Sequence, residues 1–290
     1  MKSTYHFFRF ILLFTTGSFL LFSCSREDDI DPNAPLPALE LLDQSYGNDP
    51  RQSFDVYLPA GRSREQTPLL IYIHGGAWID GSKEEFLQFK PLMEQSFPDY
   101  AFVAINYRLY DFISQDNPFP AQENDVIVSM EKILSELENW NISDQIILAG
   151  GSAGGHLALL HGYKHQPIGN IQGIIAFFPP TNLSTLYDFN FLTQSGLNEI
   201  LEGSPTTNPE RYQSSSPVSF VDEHTIPTIF FHGTEDTVVP ISQSEELEEK
   251  LIQFNVPHQF ITVPGQGHGF DPGTYANLIE EAAQFIRDNP

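Results

Sequence analysis

From about Tyr46 onward, short runs of apolar and β-branched residues alternate with longer stretches in which apolar residues recur every three or four positions. Ser53 to Leu58 predicts an edge strand. Leu69 to Ile73, Ala101 to Ile105, Gln145 to Ala149, Gly173 to Phe177, Thr228 to Phe231 and Gln259 to Val263 are nearly continuous apolar runs, as strands covered on both faces require. Between them, helical spacing marks Lys83 to Phe97, Ala121 to Glu138, Gly154 to His161, Ser242 to Phe254 and Thr274 to Asp288. The alternation predicts an α/β domain with a mostly parallel central sheet and helices on both faces. Residues 179–226 break the rhythm: they are rich in Ser, Thr, Asn and Pro, with one short helical patch from Leu197 to Leu201, and read as a lid-like insertion.

Composition adds bounds to this picture. A chain of 290 residues, 40% hydrophobic and 13% aromatic, suits one large domain with a substantial core. Its formal net charge of −24, with no local Lys/Arg cluster, repels phosphate backbones and anionic headgroups and excludes nucleic acid as an expected partner. The sole cysteine, Cys24, leaves no intrachain disulfide possible.

The amino terminus reads as an address. Lys2 and Arg9 precede an apolar run from Phe10 to Phe22, too short for a mature membrane-spanning helix but suited to the core of a secretory signal. The run ends in Leu21-Phe22-Ser23-Cys24, which resembles the lipobox of bacterial lipoproteins, where the cysteine becomes the lipidated first residue. Ser25 to Asp29 resembles the acidic signal that sends some outer-membrane lipoproteins to the cell surface. Asp31 to Pro37, with three prolines, reads as a tether. The expected organisation is a signal over residues 1–23, a lipidated, flexible segment over 24–45 and a catalytic domain over 46–290, exported and anchored to the outer membrane by lipid alone.

The chemistry lies at the ends of the expected strands. Gly150-Gly151-Ser152-Ala153-Gly154 has the G-x-S-x-G form between a strand and a helix. Such a sharp turn needs small flanking residues so that the serine oxygen stands clear of the backbone, and the helix N-terminus supplies an amide where an oxyanion will form. His74-Gly75-Gly76-Ala77-Trp78 follows another strand and offers backbone amides at Gly76 and Ala77, which with that of Ala153 make a candidate oxyanion hole. Asp236 and His268 follow the last two strands. The chain order Ser152, Asp236, His268 suits a nucleophile, the acid that orients the base, and the base itself. Glu235 is the rival acid, and its side chain points away if that of Asp236 faces His268. His74, preceding the glycines, is expected to brace its loop.

These motifs, with Asn106-Tyr107-Arg108-Leu109, Phe119-Pro120-Ala121-Gln122, Asp125 and Gly151-Ser152-Ala153-Gly154-Gly155-His156, resemble the carboxylesterase branch of the α/β-hydrolases that includes hormone-sensitive-lipase-like and bacterial feruloyl or acetyl esterase-like (BD-FAE-like) proteins. The likeness covers nearly everything from Tyr46 onward. Gly151 stands where the hormone-sensitive-lipase pattern has aspartate, and Ala77 where it has a third glycine, which favours the feruloyl or acetyl esterase-like branch. The resemblance implies the α/β-hydrolase fold and deacylation of small or carbohydrate esters, with no cofactor and no metal. Two other readings share the fold: a peptidase or amidase, since the same triad cleaves amides, and a non-catalytic surface binding protein, which has no need of a complete triad. His161 and His165 have the i, i+4 spacing of metal ligands but lack a convergent third ligand. Trp78 and Phe178 either line an acyl pocket or fill the core.

Overall fold

The computed structural model describes residues 35–165 and 168–290. Eight strands form one sheet in the order β1 (Leu39–Ser45), β2 (Ser53–Leu58), β4 (Ala101–Ile105), β3 (Leu69–Ile73), β5 (Gln145–Gly151), β6 (Asn170–Phe177), β7 (Thr228–Gly233) and β8 (His258–Val263). The pairs β1–β2 and β2–β4 are antiparallel, and every pair from β4 to β8 is parallel. This is the architecture of the α/β-hydrolases.

Strand alternation divides the core between the two faces of the sheet. Leu69, Ile71 and Ile73 of β3 and Phe230 of β7 join one cluster, packed with α2 (Ala121–Trp140) and α3 (Ala153–Lys164). Leu70 and Tyr72, with Ile229 and Phe231, join the other, beneath α1 (Phe86–Ser96) and α8 (Pro272–Asp288). Both faces are dry, which is why these strands read as unbroken apolar runs.

Three expectations need correction. Ser53–Leu58 is not an edge strand, because β1 pairs outside it, and the sheet therefore begins at Leu39 within the stretch expected to be a flexible tether. β1 escapes a periodicity reading because most of its residues are exposed and its register shifts between Leu41 and Gln44, where Asp43 takes a φ of 53°. Residues just before it are also tied down. Arg62 donates to the carbonyl of Pro37 at 2.6 Å, and the Gly61 amide donates to that of Leu36 at 2.8 Å. The lid-like segment holds more helix than expected: α4 (Leu183–Tyr187), α5 (Phe191–Ile200) and α6 (Pro209–Ser214), all between β6 and β7. Its polar residues act largely as caps. Asn182 accepts from the amides of Ser184 and Thr185, and Asn190 forms a reciprocal capping box with Thr193. The remaining helix, α7 (Ser242–Gln253), follows the loop after β7.

The signal, Cys24 and Ser25 to Asp29 lie outside the described residues. Among the described residues no helix is long and apolar enough to cross a membrane.

Strand order reverses direction at β3 and β5, and the loops leaving their carboxyl ends lie side by side. This is where open α/β sheets form a crevice for ligands.

Candidate active site

The turn from β5 into α3 sets Ser152 at φ 52° and ψ −122°, a conformation that costs energy for any residue with a Cβ. The surroundings impose it. The Ser152 amide donates to the carbonyl of Phe177 at 2.8 Å, and the Ser152 carbonyl accepts from the amide of His156 at 2.9 Å. The flanking glycines allow β3 to press against the turn: a Cβ on Gly154 would stand 2.0 Å from the carbonyl oxygen of Ile73, whereas one on Gly151 would meet only the Phe178 ring at 3.5 Å. Gly154→Ala is therefore expected to lower the urea midpoint by an amount equivalent to about 3 kcal/mol, with Gly151→Ala within about 1 kcal/mol of the unmodified chain. Equal midpoints for the two variants would refute this account of the turn.

Three loops converge on the serine. His268, after β8, places Nε2 2.9 Å from Ser152 Oγ and Nδ1 2.7 Å from Asp236 Oδ2. Asp236, after β7, is buried, and its Oδ1 accepts from the amides of Val238 and Val239 at 2.9 and 3.0 Å. Burial alone would raise its pKa, but hydrogen bonds from His232 and His268 and the charge of His268 outweigh burial and hold the carboxyl below its ordinary range. It is therefore a carboxylate at neutral pH. Glu235 is exposed on the same turn, and among the described residues it is Asp236 that His268 pairs with.

His232 was not singled out in the sequence. It is fully buried at the end of β7, with Nε2 2.9 Å from the carbonyl of Val239 and 3.2 Å from Asp236 Oδ2, and Nδ1 2.7 Å from Ser244 Oγ. It ties the Asp236 turn to β7 through Oδ2, the oxygen that His268 also meets.

The His74-to-Trp78 loop takes a tight left-handed course, with φ of 102° at Gly76, 52° at Ala77 and 63° at Trp78. Only glycine fits at Gly76, where a Cβ would fall 2.1 Å from the carbonyl oxygen of Asp80. The Gly76 carbonyl accepts from the amides of Ile79 and Asp80, both at 3.0 Å. Among the described residues, the amides of Gly76, Ala77 and Ala153 have no hydrogen-bond partner, and all three residues line the space around Ser152. Unpaired amides facing an opening are what an oxyanion hole requires.

His74 braces this loop. Its ring stacks on Tyr107 with centroids 4.2 Å apart, its Nδ1 lies 2.7 Å from the Gly75 carbonyl, and its Nε2 lies 3.2 Å from Arg51 Nη2. Burial lowers its pKa to about 4, so the ring is neutral, accepting from Arg51 and donating to Gly75. The Tyr107 hydroxyl lies 3.1 and 3.2 Å from the carbonyls of His74 and Gly75, and Arg108 grips buried Asp125 through Nη2 at 2.7 Å. The Asn106-to-Leu109 stretch and Asp125, distant in sequence, thus meet beneath the oxyanion loop.

Two clefts, each of about 300 Å³, open from Ser152. One runs between α1 and α8 and is lined by Phe89, Phe178 and Tyr275; the other lies under the lid segment, between Trp78 and α5 residues such as Leu197. Trp78 and Phe178 prove to be both core and lining: each is buried, and the Phe178 ring sits 4.5 Å from that of His268. His165 Nε2 pairs with Glu123 at 2.6 Å, and among the described residues no group of three or more potential metal ligands occurs.

The model of the BD-FAE family matches residues 54–251. Esterase LipC of Mycobacterium tuberculosis is 26% identical over 242 residues, covering 78% of this chain; the chain spans 59% of that relative's length. Among solved structures, a truncated carbohydrate esterase from gut microbiota superposes with a TM-score of 0.75 at 21% identity, covering 87% of this chain and 96% of its own. Esterase 2 of Thermogutta terrifontis, phosphorylated by paraoxon, gives a TM-score of 0.69 at 20% identity, covering 87% and 94%.

Proposed function

Since the chain belongs to the BD-FAE family, we propose that it is a serine carboxylesterase that cleaves its substrate through an acyl-enzyme. The observation that carries this reading is the unbroken relay from Asp236 through His268 to Ser152, with spacings of 2.7 and 2.9 Å, at the junction of two apolar clefts. Ser152 Oγ attacks the ester carbonyl carbon while His268 Nε2 takes its proton. The amides of Ala153, Gly76 and Ala77 receive the charge that develops on the carbonyl oxygen. The tetrahedral intermediate then expels the alcohol, whose oxygen takes the proton from His268. Water, deprotonated by the same histidine, attacks the acyl carbon and releases the acid, and Ser152 regains its proton.

Two clefts give the acyl and alcohol arms separate berths, and their modest volume suits small arms. The substrates proposed are short-chain acyl esters and the acetyl or feruloyl decorations of polysaccharide. Support comes from the resemblance of the motifs and from the carbohydrate esterase whose fold this chain shares. The test is a panel of p-nitrophenyl esters of increasing acyl length, acetylated xylan and methyl ferulate. Hydrolysis of short acyl or feruloyl esters supports the reading, and no turnover of any panel member refutes it.

We further propose that the protein acts outside the cytoplasm, held to the outer membrane by lipid on Cys24. The supporting features are the short apolar run, the sole cysteine at its end and the prolines that follow. Each buried acyl methylene contributes about 0.8 kcal/mol, so several chains on one cysteine outweigh the repulsion of an acidic surface. Fractionated cells should show the unmodified protein with the membranes and Cys24→Ala in the soluble fraction; equal solubility of both would contradict the anchor.

A further inference from the structure

The helix that borders the lid cleft carries a glycine that its backbone does not need. Leu192, Thr193, Gly196, Leu197 and Ile200 of α5 all line that cleft. They recur at the spacing that lays one face of a helix along a groove, and Gly196 stands in the middle of that face. Inside a helix glycine is a poor choice, because it gives up more backbone freedom than any other residue. No steric demand offsets that cost here. Gly196 precedes the end of α5 by more than a turn, so it is not a cap, and its backbone is not left-handed. A Cβ built on it would meet no heavy atom within 4 Å, whereas one on Gly154 would strike the carbonyl oxygen of Ile73. What the missing side chain leaves is open space on the cleft side of the helix.

Which arm of the substrate reaches that space follows from the position of the base. The departing alcohol oxygen takes its proton from His268 Nε2, so the alcohol arm starts on the side where His268 stands. His268 is in the wall of the cleft between α1 and α8, while the lid cleft has Ala153 and Trp78 in its wall. We propose that the lid cleft takes the acyl arm and that Gly196 is a specificity-determining residue, whose missing side chain leaves room for acyl chains longer than acetyl. The proposal rests on the esterase reading above and adds the division of the two arms between the clefts. Leu186, Leu197 and Val239 give the lid cleft apolar walls, so each acyl methylene that enters exchanges water for hydrocarbon. A larger residue in place of Gly196 would fill the space and turn those methylenes back towards solvent.

The test compares kcat/KM within two series of esters. p-Nitrophenyl acetate, butyrate and hexanoate vary the acyl arm, and ethyl, butyl and hexyl acetate vary the alcohol arm. The unmodified enzyme should hydrolyse p-nitrophenyl butyrate at least as efficiently as the acetate. Gly196→Leu should lower the ratio of hexanoate to acetate by about tenfold and leave the ratios among the alkyl acetates unchanged. Ratios are the informative readout, because damage to the fold or the triad lowers every member of a series alike. Gly196→Ala, whose methyl meets nothing, should raise the urea midpoint. The proposal would be overturned by a drop from acetate to butyrate in the unmodified enzyme, by an acyl ratio that Gly196→Leu does not move, by a shift in the alkyl acetates instead, or by a lower midpoint for Gly196→Ala. Should Gly196→Leu fail to fold, the flexible side chain of Gly196→Met and the unmodified enzyme's own series decide. Failure of the esterase reading shows separately, as no hydrolysis of any of these esters by the unmodified enzyme.

Discussion

Ser152→Ala is expected to lower kcat/KM for ester hydrolysis by about 10⁴-fold or more, with an unchanged unfolding transition. The loss is large because the replaced oxygen forms the covalent bond; the amides of Gly76, Ala77 and Ala153 remain and leave only the slower attack of water. The fold should tolerate the change, since Ser152 is held by its backbone, through Phe177 and His156, and its side chain bonds only to His268. Steady-state kinetics on a p-nitrophenyl ester, with urea unfolding as control, measures both quantities. Activity within tenfold of the unmodified enzyme would exclude a covalent role for this serine.

Asp236→Asn should cost about 10⁴-fold in turnover, while Glu235→Gln changes it little. The reason lies in the two ends of the Asp236 carboxylate. Oδ1 is committed to the amides of Val238 and Val239, so the asparagine oxygen occupies that position and its NH₂ group faces His268. A donor there forces His268 Nδ1 to accept, which moves the ring proton to Nε2 and leaves no base for the Ser152 hydroxyl. Glu235 is exposed and contributes nothing to this geometry. The reverse ranking of the two variants would transfer the acid's role to Glu235.

The triad was legible in the sequence because each member stands just beyond a recognisable strand, and a parallel sheet brings the carboxyl ends of its strands together. Ser152, Asp236 and His268 could be placed on one edge from strand periodicity and the G-x-S-x-G turn alone. What stayed hidden depended on side chains that meet across elements. His232 reads as one more residue of an apolar strand, and only the return of the chain through Val239 and Ser244 makes it a clamp on Asp236. Tyr72 and Glu85 each satisfy the local pattern of a strand and of a helix start, and nothing local indicates that they share a hydrogen bond across 13 residues. In the lid segment the Ser, Thr and Asn content that suggested loop was the capping chemistry of short helices. β1 was missed because an exposed strand with a shifted register has no clean period of two.

If Ser152 is a nucleophile activated by His268, titration with paraoxon will label it. Attack of Ser152 Oγ on phosphorus would expel p-nitrophenolate and leave a diethylphosphoryl group on the serine, an adduct that mimics the tetrahedral stage of ester cleavage. One equivalent of p-nitrophenolate per chain should be released, with parallel loss of esterase activity and the phosphoryl mass on the peptide containing Ser152, and with neither release nor adduct in Ser152→Ala. Full esterase activity after exposure to excess paraoxon, or an adduct on another residue that forms equally in Ser152→Ala, would contradict it.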